Sequence, residues 1–253
     1  MSVEISLDGK CAVITGGGGG IGAAIAEEFA RAGARVVVAD IDADAAVRVA
    51  ERIAIARGAA EGRQVDVTDP ESVDRLFDHC IEQYGGVDIF VASAGLSDKG
   101  DIFELELDEW RTIMDVNLTG SFLCAKRATK SMRDNGRGGR ILLIGSPTGF
   151  RGALRGHVAY AASKGGLFAF AKSLARTVAV DKITVNVITP GQTDTELLWK
   201  TNPREAIEKI METVPLGLAK PSDVAAGALY LASDGAKHVT GISLDIDGGG
   251  VMR

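Results

Sequence analysis

The sequence predicts an α/β fold, a single domain built on a doubly wound parallel sheet of about seven strands with helices on both faces. Three observations carry that expectation. Short β-branched runs alternate with longer helical stretches from one end of the chain to the other, which is the pattern of repeated strand–helix–strand units. Most of the short runs are continuously apolar rather than alternating, as befits strands covered on both sides. Finally, no linker, repeat or charge block divides the 253 residues, and a hydrophobic content of 46% is ample for one large core.

Taken in order, the predicted strands are "CAVIT" (11–15), "RVVVAD" (35–40), "GRQVD" (62–66), "VDIFVA" (87–92), "RILLIG" (140–145), "TVNVIT" (184–189) and "SLDI" (243–246). Helical patterns fill 21–32, 43–56, 70–84, 108–134, 157–180, 204–213 and 222–233. Start signals mark some of them: Asp69 stands before Pro70, and Ser222 in "KPSDV" is the expected cap of the last helix.

Composition excludes several functions. With a formal net charge of -6, the chain lacks the clustered positive charge of a nucleic-acid binder. The basic run at 126–140 falls where a helix should end, a place where cations offset the helix dipole. Three cysteines and three histidines are scattered without ligand spacing, so neither a disulfide framework nor a metal site is expected. The N-terminus shows no signal-sequence pattern and no apolar run approaches the roughly 18 residues of a membrane span. A soluble, cytoplasmic protein that binds no nucleic acid and no membrane is expected.

"GGGGG" at 16–20 would be a flexible linker in polar surroundings, but here it joins an apolar strand to the amphipathic "IGAAIAEEFARAG". Glycines at 16, 20 and 22, with Ile21 between the last two, allow a tight strand-to-helix turn. A pyrophosphate can then approach the backbone at the helix N-terminus. The second strand ends in Asp40, near the roughly 20-residue offset expected of an acid that binds ribose hydroxyls. Its charge would repel a 2'-phosphate. Since Ile41 and Asp42 follow and the glycine loop holds no cation, the expected cofactor is NAD rather than NADP. Asp66 and Val67 should meet the adenine ring, and the small residues of "ASAG", including Ala94 and Gly95, leave room for the cofactor backbone.

A second group of residues lies further along. Tyr160 and Lys164 in "YAASK" stand four apart on a predicted helix, so both occupy one face and the ammonium can stabilise a phenolate. A nearby cation is expected to lower a tyrosine pKa from about 10. Asn117 is a polar residue in an otherwise apolar helical stretch and needs partners.

Together, "TGGGGGIG" (15–22), "DVTD" (66–69), "VNLTG" (116–120), "YAASK" (160–164), "VNVITPG" (185–191) and "VTGISLDIDGG" (239–249) make the chain resemble a short-chain dehydrogenase/reductase of the compact, single-domain type. The resemblance spans Gly9 to Gly249 and implies one NAD(P)-binding Rossmann domain over 1–253. It further implies that Tyr160 is the acid/base, with Lys164 lowering its pKa and holding the nicotinamide ribose. Asn117 would support a water in a proton relay. Pro190 and Gly191 would end the sixth strand, with Thr193 and Thr195 at the nicotinamide carboxamide. Two departures stand out. "ASAG" replaces the commoner "NNAG", placing Ser93 where an asparagine usually braces the sheet. Thirteen residues before the tyrosine, where a catalytic serine is usual, stands Pro147. Ser146 is therefore the expected catalytic serine, with Gly149 three residues later, and Thr148 is the fallback.

Substrate contacts are expected from loops 93–103, 146–157 and 191 to about 215, the last a lid with Trp199 as a candidate wall. Arg151 and Arg155 offer planar forks to a carboxylate or phosphate, although solvated loop arginines or subunit-interface ion pairs are the more ordinary reading of both. The expected activity is NAD-dependent hydride transfer on a small secondary alcohol or ketone, extending to a hydroxy or keto (sugar) acid. The rivals are an NADPH-type ketoacyl thioester reductase and a catalytically idle dinucleotide sensor. The family resemblance also implies a homotetramer.

Overall fold

The computed structural model describes residues 5–98, 100–153, 156–201 and 203–252, with Leu197, Thr201, Ala206 and Ile210 described in backbone only. Seven strands form one sheet: β1 (Cys11–Thr15), β2 (Arg35–Asp40), β3 (Ala59–Gln64), β4 (Ile89–Ala92), β5 (Gly139–Ile144), β6 (Ile183–Pro190) and β7 (Ser243–Ile246). Their order is β3-β2-β1-β4-β5-β6-β7, and every pairing is parallel. The direction of winding therefore reverses between β1 and β4, and a crevice opens there at the carboxyl ends of the strands.

The described residues include ten α-helices: α1 (Gly20–Arg31), α2 (Ala43–Ile55), α3 (Pro70–Tyr84), α4 (Leu107–Met114), α5 (Gly120–Asn135), α6 (Thr148–Arg151), α7 (Val158–Val178), α8 (Glu196–Thr201), α9 (Arg204–Thr213) and α10 (Pro221–Ala232). Successive strand residues point to opposite faces, so each strand feeds two cores. On one face Val13, Val37 and Phe90 pack with Phe77 of α3, Met132 of α5 and Leu167 of α7. On the other, Ile14, Val36 and Val91 pack with Phe29 of α1, Val49 of α2 and Leu231 of α10. None of these helices is long and apolar enough to cross a membrane.

Four sequence expectations change. The third strand lies at 59–64 rather than 62–66, because as an edge strand it is placed by its one neighbour, with Arg35 opposite Ala59 and Asp40 opposite Gln64. Asp66 and Val67 thus belong to the loop beyond it. The expected helix 108–134 is interrupted by a π turn, Asp115–Thr119. The cap of α10 is not Ser222: the helix starts at Pro221, and the Asp223 carboxylate accepts the N–H of Lys220 at 2.7 Å. The basic run at 126–140 does more than end a helix, since Arg127 pairs with Asp74 and Asp78, Arg133 with Asp181, and Arg137 with the buried Asp88. Asp69 caps α3 as expected, accepting the N–H groups of Glu71 and Ser72.

Candidate active site

A cavity of about 1200 Å³ occupies the crevice at the β1/β4 reversal. Of the residues singled out above, Gly16, Gly20, Ile21, Asp40, Asp66, Val67, Ala94, Gly95, Ser146, Arg151, Tyr160, Lys164, Pro190, Gly191, Thr193 and Thr195 all line it. They come from six strand ends, which is why no short stretch of sequence contains the site.

Sterics shape its nucleotide end. Gly16 has φ +68, and a Cβ there would lie 2.5 Å from the backbone nitrogen of Ala94. A Cβ at Gly22 would overlap the Gly16 carbonyl oxygen, so Gly22 lies beneath the turn rather than on the cavity wall. Gly22→Ala should cost roughly 1–3 kcal/mol through overpacking and weaken NADH binding, read by denaturant melts and fluorescence titration. Gly19 has open space where a side chain would stand, and Gly20 (φ +53) meets only the methyl of Thr195. No side chain caps the N-terminus of α1, leaving its first N–H groups for a ligand anion. Asp40 closes this end: its carboxylate accepts the N–H of Gly18 at 2.9 Å and of Asp42 at 3.1 Å. An open glycine cradle beside an uncapped helix start and a half-buried acid fits a dinucleotide.

At the other end α7 presents Tyr160 and Lys164 one turn apart. Lys164 is buried and donates to the carbonyl of Ile144 at 2.7 Å, its Nζ 5.7 Å from the centre of the Tyr160 ring. Burial lowers its pKa from 10.5 to about 8. The Tyr160 pKa is raised by burial, with the hydrogen bond from Ser146 pulling the other way. The lowering expected from Lys164 is not what moves this group: burial raises its pKa, and the hydrogen bond that opposes the rise comes from Ser146.

Ser146 is brought to Tyr160 by packing. Its hydroxyl accepts the N–H of Thr148 at 3.2 Å. The following turn, α6, lies so close to α7 that a Cβ on Gly149 would be 2.7 Å from the nitrogen of Gly165. Phe150 stacks on Phe168 with centroids 3.7 Å apart. Asn117, fully buried in the π turn, does not line the cavity. Its side chain accepts the N–H of Leu96 (2.7 Å) and donates to the Leu96 carbonyl (2.9 Å) and the Ser163 hydroxyl (3.0 Å), which in turn donates to the Tyr160 carbonyl (2.8 Å). It brackets the loop after β4 to the helix of Tyr160.

Other expectations fare differently. Trp199 is not a cavity wall: its indole donates to Asp194 at 2.6 Å and stays exposed, and the adjacent Leu198 lines the cavity instead. Adjacent helical residues diverge by about 100°, so only one of the two faces inward. Thr195 accepts the N–H of Leu198 at the start of α8, and Thr193 donates to the Gly191 carbonyl. Arg151 is exposed at the rim, whereas Arg155 lies outside the described residues. Ser97, His157 and Gln192 also line the cavity; they fall in the loops expected to touch substrate but were not singled out there, and Val251 lies outside those loops altogether.

The comparisons with known proteins agree with this geometry. Residues 17–250 match a family model described as enoyl-(acyl carrier protein) reductase. The chain belongs to the short-chain dehydrogenase/reductase family. It is 36% identical to the 3-oxoacyl-[acyl-carrier-protein] reductase of Aquifex aeolicus, over 98% of this chain and 99% of the other. It is also 38% identical to D-threitol dehydrogenase of Mycolicibacterium smegmatis, over 99% and 96%. A solved 7α-hydroxysteroid dehydrogenase, complexed with NADH and 7-oxo glycochenodeoxycholic acid, superposes with a TM-score of 0.93 at 36% identity, covering 99% of this chain and 97% of that one. This member of the family is thus an oxidoreductase.

Proposed function

We propose that the protein is an NAD-dependent dehydrogenase/reductase acting on a small secondary alcohol or ketone. One observation carries the reading: a serine hydroxyl bonded to a tyrosine, with a buried lysine one turn away, faces the same cavity as the glycine turn and Asp40. Bound NAD supplies hydride exchange at its nicotinamide. Tyr160 exchanges the proton with the substrate oxygen, Ser146 donates a hydrogen bond to that oxygen as charge develops, and Lys164 holds the nicotinamide ribose. The N–H groups at the start of α1 take the pyrophosphate and Asp40 the adenosine ribose hydroxyls. Pro190, Gly191, Thr193 and Thr195 border the nicotinamide, and residues 191–215 act as the substrate lid.

Selection of NAD rests on Asp40, and the NADH in the solved relative is consistent with it. Asp40→Ser removes a charged hydrogen bond of about 1.5–3 kcal/mol and a negative charge. The KM for NAD should rise roughly 10- to 100-fold while NADP becomes a usable cofactor. An unchanged NAD/NADP ratio of kcat/KM would refute the assignment.

For the substrate, D-threitol dehydrogenase among the relatives and Arg151 at the rim support a polyol or a hydroxy or keto acid. A ketoacyl thioester reductase is the second reading, favoured by the relative from Aquifex. The deciding experiment measures NADH formation with D-threitol, secondary alcohols and hydroxy acids against NADPH oxidation with a ketoacyl thioester. Activity confined to the thioester with NADPH would overturn the first reading. We also expect a homotetramer, because α5 and α7 leave a hollow of about 510 Å³ with Phe122 44% exposed at its edge. Three free, buried cysteines suit a cytoplasmic location.

A further inference from the structure

We propose that Asp98 is a positioning residue for proton transfer, the cap that holds the first turn of the helix carrying Tyr160. The inference rests on Tyr160 being the proton-transfer group.

Helix α7 begins without a cap of its own. His157 precedes it in a left-handed conformation (φ 55) and its side chain accepts no helix N–H. The first-turn donors are instead received by a residue some sixty positions upstream, on the loop after β4. The Oδ2 of Asp98 accepts the N–H of Ala159 at 3.2 Å, and its Oδ1 accepts the N–H of Tyr160 itself at 3.1 Å. Asp98 is 1% exposed. A carboxylate is buried at such cost that it needs partners, and two N–H groups at the positive end of a helix dipole provide them.

The loop bearing Asp98 is itself held. Asn117 pins Leu96 by both its N–H and its carbonyl, and the Ser97 hydroxyl lies 3.0 Å from His157 Nδ1. Gly95, Leu96 and Ser97 line the cavity beside Ser146 and Tyr160. Asp98 therefore sets the height of Tyr160 relative to the wall against which substrate and nicotinamide must lie. A misplacement of about 1 Å in a reacting group can cost 10²-fold in rate.

The test compares Asp98→Ala and Asp98→Asn with wild type and Tyr160→Phe in the full-length protein. Three readouts are needed: turnover on whichever alcohol of the panel above the wild type oxidises, NADH dissociation constant by fluorescence, and hydrogen exchange of the amides of Ala159 and Tyr160. Asp98→Ala should lower kcat about 100-fold with NADH affinity within about threefold of wild type. Its two amides should exchange faster than those in the rest of α7. Asp98→Asn keeps one acceptor and should recover about a tenfold part of the loss, which also covers the case in which the alanine variant does not fold. Wild-type exchange at both amides in either variant overturns the proposal, as does wild-type kcat in Asp98→Ala beside an inactive Tyr160→Phe. Activity surviving in Tyr160→Phe would instead refute the role of Tyr160, while the exchange data would still report on the cap.

Discussion

Replacement of Tyr160 by Phe is expected to lower kcat by about three orders of magnitude, within the 10²- to 10⁴-fold range of general acid–base catalysis. NADH binding and thermal stability should stay near wild type, since the lost hydroxyl faces the cavity and its partner there is Ser146. Steady-state absorbance of NADH measures the first effect, and fluorescence titration with melting curves measures the others. A variant retaining a tenth of the activity would refute the assignment. The same geometry fixes a pH trend. Burial raises the Tyr160 pKa above its ordinary value of 10, so the hydroxyl holds its proton at neutral pH, ready to protonate a ketone oxygen. Alcohol oxidation needs the phenolate and should therefore accelerate with rising pH. Ser146→Ala removes the hydrogen bond that lowers the pKa, and should move that alkaline limb further up.

Lys164→Met is expected to abolish most activity yet make the protein more stable relative to wild type at pH 7 than at pH 10. In the fold the lysine pKa is about 8, against 10.5 for an ordinary lysine. A depressed folded-state pKa means that the charged amine costs stability below pH 8, where it is protonated in both states. That cost, on the order of 3 kcal/mol, fades between pH 8 and 10.5 and is absent above. Methionine removes it but leaves the Ile144 carbonyl without its donor, a loss of about 1–3 kcal/mol that does not vary with pH. The melting temperature of the variant minus that of wild type should thus fall as pH rises from 8 to 10.5, from zero or above to below zero. A pH-independent difference would show that Lys164 is not buried as a charge in the free protein. With turnover, loss of the ammonium should cost about 10²- to 10³-fold, within the range of general acid–base effects.

Much of this was legible in one dimension because the signals are local. Continuous apolar runs place strands, so six of seven lie within two residues of expectation. The exception is β3, whose polar "AAEGRQ" carries little pattern and whose position follows from Glu61 lying opposite Val37. The glycine turn was readable because one short stretch must reverse direction and leave a helix start bare. Tyr160 and Lys164 were readable because four residues make one helical turn. The choice of Ser146 over Thr148 as the proposed catalytic serine was open in the sequence, and it is the close approach of Gly149 to Gly165 that brings the Ser146 hydroxyl to Tyr160.

The α/β architecture, the glycine turn and the tyrosine–lysine pair were already readable along the chain, since periodicity and short spacings encode each of them. Folding settles which way the Tyr160 pKa moves, turns Trp199 outward while Leu198 faces the cavity, and sets Asp98 as the cap of the helix of Tyr160. Those outcomes depend on desolvation and on contacts between residues as far as sixty positions apart, and neither quantity exists until the chain has folded.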